Sequence, residues 1–365
     1  MEKSHMIILI VTLSSSFVIF LILFLICVCT RKRSAGNEAW DKEANPELKK
    51  QTEVEDIEVK GDLIRFEGGE DLTCFDILDA PGEVIGKSSY GTLYRANLLS
   101  DSVLLLRFLR PACTVGKVQD VMHVVQLLGA VRHPNLVPLC GFYSGPRGEK
   151  LLVYPFFKRG NLAQFIRDEN GESHKWEIIY KISMGIVRGL DHLHTSLQRP
   201  IIHGNLKSKN ILLGRNHQPF VSDFGIHLLL NTTALQDMIE DAEVEGYKAP
   251  ELTKAKYFTT QTDIYNLGVI LLELITGKEP INGKTNASED LHLPALIRKA
   301  ILDHRMSDLY HHDVLENDNG GSTCVNEDII IKFVQLALDC CSPSPSHRPD
   351  IKQICTRLEE IGRKS

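Results

Sequence analysis

The hydrophobic pattern divides the chain into three parts. Residues 6–29 form a run of 24 residues without a charge, and 17 of them are Ile, Leu, Val or Phe. A helix rises about 1.5 Å per residue, so this run is long enough for a hydrocarbon core of about 30 Å. Residues 34–61 are polar, carry both charges and lack a hydrophobic period, which is typical of a linker. The pattern predicts a short outer terminus at 1–5, a transmembrane helix at 6–29, a juxtamembrane linker at 30–72 and a folded unit from residue 73.

The charges around the apolar run predict its orientation. Arg31, Lys32 and Arg33 follow it, whereas only Lys3 and the amino terminus precede it. Lys and Arg accumulate on the cytoplasmic side of membrane spans, so the large C-terminal part is expected in the cytosol. A cleaved signal peptide is the competing interpretation, but its apolar core is about 7–15 residues long and ends in a small-residue cleavage site. The run from Met6 to Cys29 therefore predicts a single-pass membrane anchor.

The folded part mixes strand-like runs with helical stripes. Order is expected to return at Leu63–Phe66, a short helix at Phe75–Leu78, and longer helices at 176–194, 329–342 and 351–361. His192 and His194, at the end of the first long stripe, are interpreted as solvent-facing or capping residues rather than metal ligands.

Composition excludes two classes of protein. The net charge of -6 and the pI near 6.2 leave no excess of Lys and Arg for a nucleic-acid surface. Nine cysteines occur without a C-x-x-C pair, which indicates reduced thiols rather than a disulfide framework or a cysteine zinc site.

The stretch from His203 to Gly225 carries the strongest chemical signal. It reads HGNLKSKN, then ILL, and ends in VSDFG. This stretch resembles the protein-kinase catalytic loop H-R-D-L-x-x-x-N followed by D-F-G, at the family's spacing. The resemblance implies that Asn205 occupies the position of the catalytic base, with Lys207 as a second catalytic-loop candidate. It also implies that Asn210 and Asp223 occupy the two metal positions.

The residue at the base position changes the expected chemistry. An amide oxygen of Asn205 accepts a hydrogen bond but has no useful basicity near pH 7. Losing a positioned base costs about 10²- to 10⁴-fold in rate. The sequence therefore predicts a kinase fold with little or no phosphoryl transfer.

The nucleotide-binding positions are also altered. The segment around Gly86, Ser88 and Gly91 resembles the glycine-rich loop G-x-G-x-x-G-x-V, with Ser88 at the middle glycine, so its phosphate cradle is expected to be weakened. The next strand places Arg107 at the lysine position, and Tyr154 stands where the family guards its nucleotide pocket. These five residues are the predicted nucleotide contacts.

The usual partner of the lysine position is missing. The family supplies a glutamate from the following helix, but no acid occurs between Asp120 and Glu149, and Val124 stands near the expected place. A planar guanidinium at Arg107 does not substitute conservatively for an ammonium. The alternative, an exposed Arg on an edge strand, fits poorly with the apolar run around it.

The C-terminal half keeps the family's scaffold motifs. Residues 246–251 resemble the A-P-E closure of an activation segment, and residues 263–274 resemble the family's central helix. The resemblance implies that Asp263 braces the catalytic loop and that Arg348 pairs with Glu251.

The threonines of the activation segment lose their usual role. In many kinases a phosphate in this segment is clasped by the Arg of H-R-D, but Gly204 stands there. Thr232 and Thr233 are therefore interpreted as loop residues.

The resemblance covers residues 81–361 and is to plant leucine-rich-repeat receptor-like kinases, especially their atypical transmembrane kinase-like branch. It implies an α+β, two-lobed protein-kinase fold, with a β-rich N-lobe and hinge at 73–157 and a helical C-lobe at 158–365. The predicted topology leaves no outer domain that could sense an extracellular ligand, so the receptor function of the family is not expected for this chain.

Three functions are compatible with these residues. The first is a membrane-anchored pseudokinase that acts as a signalling scaffold or regulator, with active receptor-like kinases or their cytosolic substrates as partners. The alternative is a weak serine/threonine kinase in which Asn210 and Asp223 still hold Mg²⁺-ATP. The third is a switch that senses nucleotide without transferring phosphate. ATP and Mg²⁺ binding are expected to be weak or absent.

Overall fold

The structure is a computed structural model that describes residues 61–98, 102–116, 118–168, 172–281, 292–315 and 326–363. The outer terminus, the membrane span and most of the linker predicted from the sequence lie outside these residues. Among the helices that are described, none has both the length and the apolar character that a membrane span needs.

A six-stranded antiparallel sheet builds the N-lobe. Its spatial order is β1-β5-β6-β4-β3-β2. The strands are β1 (Asp62–Arg65), β2 (Gly82–Ser88), β3 (Gly91–Asn97), β4 (Val103–Leu109), β5 (Gly141–Ser144) and β6 (Lys150–Pro155). Because β4 pairs with β3 on one side and β6 on the other, a residue at its centre is held from both sides.

The sheet begins earlier than the predicted boundary at residue 73. β1 lies inside the segment assigned to the linker, yet it pairs with β5 in the register Asp62↔Ser144 to Arg65↔Gly141. The expected return of order at Leu63–Phe66 is confirmed. Only the domain boundary was set too late, because an edge strand with one buried face and polar neighbours gives a short signal.

Helices cover the sheet and form the C-lobe. They are α1 (Cys74–Leu78), α2 (Val118–Gly129), α3 (Leu162–Ile166), α4 (Trp176–Asp191), α5 (Thr232–Val244), α6 (Thr260–Thr276), α7 (Leu293–Leu302), α8 (Glu327–Cys340) and α9 (Ile351–Gly362). A two-stranded ribbon, β7 (Ile211–Leu213) paired with β8 (Pro219–Val221), lies between α4 and α5 in the chain. This α+β architecture has the β-rich N-lobe and helical C-lobe expected from the sequence.

The central helix of the C-lobe is α6. Thr259 caps it with a capping box that includes Thr262, and Gly277 ends it in the left-handed conformation with φ 66°. Fifteen of its residues, Thr262–Thr276, are buried. A helix buried on all sides lies inside a core, so α6 gives the C-lobe a rigid axis from which the catalytic-type loop is held.

Candidate active site

A tight hairpin forms the loop that resembles the glycine-rich loop. β2 and β3 pair up to Ser88↔Gly91, so only Ser89 and Tyr90 make the turn, and a β-bulge lies between Val84 and Gly86. A Cβ atom on Gly91 would lie 2.3 Å from the carbonyl oxygen of Phe108, so glycine is required where β3 meets β4. The Ser88 hydroxyl donates to the Gly91 carbonyl at 3.3 Å and spans the hairpin.

The Tyr90 side chain turns inward from the hairpin. It is 3% exposed, and the Arg107 guanidinium lies 5.9 Å from the centre of its ring. The Asn205 side-chain amide donates to the Tyr90 hydroxyl at 3.4 Å. Burial raises the pKa of Tyr90, so the phenol stays neutral. An aromatic ring therefore packs between the hairpin and the catalytic-type loop.

Arg107 lies at the centre of the sheet and binds Asp223. It pairs with Leu93 on β3 and Leu152 on β6, which rules out the exposed-edge alternative. Its Nε donates to Asp223 Oδ1 at 3.0 Å, and its second terminal nitrogen donates to Asp223 Oδ2. Arg107 is 7% exposed and Asp223 is 5% exposed. This is a buried, bidentate ion pair.

The charges of this pair stabilise each other. Burial alone would lower the pKa of Arg107, but the adjacent Asp223 carboxylate raises it overall, so the guanidinium remains charged. Asp223 has a left-handed backbone with φ 62°, which is uncommon for a residue other than glycine. Gly225, two positions after Asp223, packs closely against α2, since a Cβ there would lie 2.6 Å from Leu128 Cδ2. Arg107 and α2 thus fix Asp223 from two sides.

The helix α2 has no acid at the family's position; its acid, Asp120, lies in its first turn. Val124 is half-buried and packs against the core, Val125 is fully buried, and Gln126 is exposed. Asp223 is therefore the ion-pair partner of Arg107 in the structure, in place of the family's helix glutamate.

A metal ion at Asp223 does not fit this arrangement. Both carboxylate oxygens of Asp223 accept hydrogen bonds from a cation. The side-chain amide nitrogen of Asn210 donates to the backbone carbonyl of Asn205 at 2.8 Å, so its oxygen, the atom that could bind a metal, is not used by this bond. Mg²⁺ demands near-octahedral oxygen coordination, and two positive charges on one carboxylate repel each other. Arg107 therefore competes with Mg²⁺ for the Asp223 carboxylate.

Lys207 and Tyr154 complete the set of residues singled out in the sequence. Lys207 Nζ lies 2.5 Å from Glu245 Oε2, and Lys209 Nζ lies 2.9 Å from Glu245 Oε1. Tyr154 lies on β6, is 6% exposed, and has its pKa raised by burial and by the Asp223 charge. The structure therefore gathers Arg107, Asp223 and Tyr154 in one buried region and links Lys207 to the end of α5.

The activation-type segment is helical and is linked to the hairpin. α5 covers Thr232–Val244, with Asn231 as its N-cap. From its last turn but one, the Asp241 carboxylate accepts a hydrogen bond from the Ser89 hydroxyl at 2.8 Å. The interpretation of Thr232 and Thr233 as loop residues is wrong, because they form the exposed first turn of this helix. The helix was not predicted, because this stretch is polar and its apolar stripe is weak.

The catalytic-type loop is braced from α6. The Asp263 carboxylate is fully buried and accepts hydrogen bonds from the backbone N–H groups of His203, at 2.7 Å, and Gly204, at 2.9 Å. His194 Nε2 lies 2.9 Å from the same carboxylate. The bracing role of Asp263 is confirmed. The solvent-facing interpretation of His194 is wrong, because this ring is 7% exposed and anchors Asp263.

A second histidine fills the space left by Gly204. Gly204 has φ 76°, and a Cβ there would lie 2.5 Å from His227 Nδ1. His227 Nδ1 and His203 Nε2 are buried atoms without a hydrogen-bond partner among the described residues. Burial, opposed by Asp263 and assisted by His203, lowers the pKa of His227 to about 4. The pair Gly204 and His227 therefore replaces the arginine that the family carries in this loop.

We expect acid to destabilise the protein through His227. Below pH 6.5 the unfolded imidazole takes up a proton that the folded one excludes down to about pH 4, so stability falls as pH decreases through this window. The contribution of this one group is about 2–3 kcal/mol at pH 4. Urea unfolding at a series of pH values should show a shallower loss for His227→Gln than for the wild type, and His123→Gln, an exposed position, serves as control. Identical pH profiles for wild type and His227→Gln would contradict this assignment.

The comparisons with known proteins agree with this geometry. The family model described as protein tyrosine and serine/threonine kinase matches residues 80–358. The chain belongs to the protein kinase family. Its relatives are plant receptor-like kinases, and it is 34% identical over 358 residues to the Arabidopsis thaliana putative kinase-like protein TMKL1, covering 96% of this chain and 52% of that protein. The chain spans about half or less of the length of the curated relatives it matches.

Two solved structures share the kinase fold. The maize SIRK1 kinase domain bound to AMP-PNP has a TM-score of 0.71 and 28% identity, covering 82% of this chain and all of that one. The pseudokinase domain of BIR2, described as an immune regulator of the RLK/Pelle family, has a TM-score of 0.63 and 29% identity, covering 77% of this chain and 81% of that one. A nucleotide-bound kinase domain and a pseudokinase domain thus share this kinase-like architecture.

Sequence reasoning missed the residues that close the site. Tyr90 was read only as part of a loop pattern, although an aromatic residue in a polar turn is a signal that its ring is buried elsewhere. Ser89, Asp241 and His227 carry no local signal, because their partners lie far away in the sequence or on another element.

Proposed function

We propose that this protein is a membrane-anchored pseudokinase that regulates active receptor-like kinases through its two-lobed cytosolic surface. The observation that carries the proposal is the buried ion pair of Arg107 with Asp223. A guanidinium at the metal-binding carboxylate stabilises the lobes without nucleotide, and Asn205 supplies no base for transfer. ATP and Mg²⁺ binding are weak or absent in this proposal.

The roles of the individual residues follow from this arrangement. Arg107 holds Asp223, Tyr90 fills the space beneath the hairpin, and Asn205 fixes the Tyr90 hydroxyl. Gly86 and Gly91 shape a hairpin that closes on protein side chains instead of phosphates. Lys207 orders the end of the activation-type segment through Glu245.

The membrane anchor and the partner belong to the same proposal. The apolar run of residues 6–29 would hold the kinase-like part at the plasma membrane, where receptor-like kinases are located. The description of BIR2 as a regulator of its own family supports an active receptor-like kinase as the partner. Pull-down of a panel of purified receptor-like kinase cytosolic domains by the full-length chain tests this, and failure of all of them to bind contradicts the regulatory role.

Nucleotide binding separates the proposal from a weak serine/threonine kinase. A ligand at 100 times its Kd adds about 2.7 kcal/mol of stability, which for a domain of this size raises Tm by roughly 5–10 °C. We expect millimolar Mg²⁺-ATP to raise the Tm of the full-length chain by less than about 1 °C.

The variant Arg107→Lys/Asn205→Asp is the matched positive control. Lysine releases one carboxylate oxygen of Asp223 and aspartate restores a base, so this variant should gain a nucleotide-dependent shift in Tm. A large shift in the wild type, together with labelled phosphate on a protein substrate that disappears in Asp223→Ala, would establish the weak kinase instead.

A further inference from the structure

Three histidines stack on the C-lobe, outside the candidate active site. His174 lies in the turn Glu172–His174, and its ring stacks on His311 with centroids 3.7 Å apart and planes 15° apart. The His312 ring lies next to His311 at 4.4 Å, tilted by 31°. Asp313 follows directly in the chain. Nothing in the proposed kinase-like function uses these residues.

The polar side-chain atoms of His311, His312 and Asp313 lie close together. His311 Nδ1 lies 3.6 Å from Asp313 Oδ2, and His312 Nε2 lies 2.8 Å from Asp313 Oδ1. One ligand atom from each of the three residues lies within 4.8 Å of the others. A tetrahedral Zn²⁺ with ligand distances of about 2.0–2.2 Å places its ligand atoms roughly 3.2–3.6 Å apart. The separation of 3.6 Å between His311 and Asp313 already has this value, whereas the 2.8 Å between His312 Nε2 and Asp313 Oδ1 is shorter, so the exposed His312 ring has to move away from the carboxylate for Zn²⁺ to fit.

The contacts of His311 place a carboxylate oxygen beside its ring. The backbone N–H of Asp313 donates to His311 Nδ1 at 3.4 Å, a long hydrogen bond that a metal ion at this nitrogen would replace. Asp313 Oδ2 lies 3.6 Å from the same nitrogen, which is the separation of two ligand atoms of one tetrahedral Zn²⁺.

The surrounding structure holds His311 in place. Its backbone N–H donates to the Ile275 carbonyl at 2.8 Å. Gly277, with φ 66°, leaves room for the stacked rings, since a Cβ there would lie 2.8 Å from His174 Cε1 and 3.3 Å from His311 Cδ2. His174 is 7% exposed, and its Nδ1 has no hydrogen-bond partner among the described residues. A ligand fixed by such packing loses little entropy on binding metal.

We propose that His311, His312 and Asp313 bind Zn²⁺ through His311 Nδ1, His312 Nε2 and the Asp313 carboxylate. Two imidazoles with one carboxylate suit Zn²⁺, whereas Mg²⁺ and Ca²⁺ prefer oxygen ligands alone. Three protein ligands leave the fourth position of the tetrahedron to water or to a donor from another protein. His174 is a positioning residue that orients the His311 ring by stacking.

Zinc binding to the full-length chain tests the proposal. The purified protein, stripped with a chelator, is titrated with Zn²⁺ against a chromophoric competitor at pH 7.5, and bound zinc is counted by elemental analysis. We expect one Zn²⁺ per chain. Mg²⁺ at the same concentration should not compete.

Variants identify the ligands. His312→Ala changes an exposed side chain and should weaken Zn²⁺ binding at least about tenfold, as should Asp313→Asn, while His123→Ala, an exposed histidine on α2, should leave it unchanged. His174→Phe keeps a stacking ring and should retain the site. Far-UV circular dichroism confirms that each variant is folded.

Two results would overturn the site. One is a wild type that binds less than one Zn²⁺ per two chains at micromolar free metal. The other is equal affinity in the wild type, His312→Ala and Asp313→Asn, which would assign the metal to cysteines elsewhere. An absorption spectrum of the Co²⁺-substituted protein with thiolate charge-transfer bands would likewise show that cysteines bind the metal. These outcomes are independent of nucleotide binding, so they do not test the pseudokinase proposal.

Discussion

Replacing Arg107 with Met is expected to lower the free energy of unfolding by about 3–5 kcal/mol. The change leaves Asp223, which is 5% exposed, as an uncompensated charge beneath the sheet. Breaking a buried ion pair on one side costs far more than the pair itself contributes. The shift in the urea unfolding midpoint of the full-length chain measures the loss.

Two further variants make this result specific. Arg147→Met removes an arginine that is 90% exposed and pairs with Glu149 at 3.1 Å, and it should cost at most about 1 kcal/mol. Arg107→Met/Asp223→Leu removes both charges and should recover most of the loss, because apolar replacement of a buried pair is often neutral. A loss below about 1 kcal/mol in Arg107→Met would mean that the pair does not hold the two lobes together.

The same measurement on Arg348→Met should show a second loss of about 3–5 kcal/mol. The Arg348 side chain is fully buried and donates two hydrogen bonds of 2.7 Å to Glu251, in addition to bonds to the carbonyls of Gln261 and Ser342. This pair anchors the turn Pro250–Thr253 that closes the activation-type segment. Removing the guanidinium leaves three acceptors unpaired at once.

Arg357→Met is the matched control. Arg357 lies on α9, is 39% exposed, and pairs with Asp339 at 2.8 Å, so its loss should be within about 1 kcal/mol. Hydrogen exchange at residues 246–253 should accelerate in Arg348→Met and remain unchanged in Arg357→Met. Equal stability of the two variants would show that the Glu251 pair has no structural role.

The two predictions concern two buried ion pairs with different roles. The Arg348–Glu251 pair preserves a scaffold shared with catalytically active kinases, and the sequence resemblance was sufficient to predict it. The Arg107–Asp223 pair occupies the catalytic centre with a side chain of the protein itself. We expect a domain that has both the Arg348–Glu251 pair and the Arg107–Asp223 pair to remain folded without a bound nucleotide. This combination suits a protein that works through its surface.

The sequence and the structure agree best where the signal is local or carried by a motif. The catalytic-type loop, the central helix α6 and the terminal helix α9 are confirmed within a few residues, because apolar periodicity and motif spacing are properties of contiguous residues. The strand β1 was placed in the linker, because a four-residue edge strand with two half-buried residues has almost no pattern.

The sequence by itself determined which chemical groups this protein lacks. An amide at position 205, no acid between Asp120 and Glu149 and a serine at position 88 follow from residue identity, and no folding can return a carboxylate or remove a side chain. Only the tertiary structure decided what replaced them. Arg107 and Asp223 are 116 positions apart, and their pairing depends on how the fold brings β4 next to the segment after β8, which no local pattern encodes. The contacts of Tyr90 with Arg107 and of His227 with Gly204 also depend on the tertiary structure. Three-dimensional packing decides which partner a buried group has, whereas the sequence already fixes the chemistry of that group.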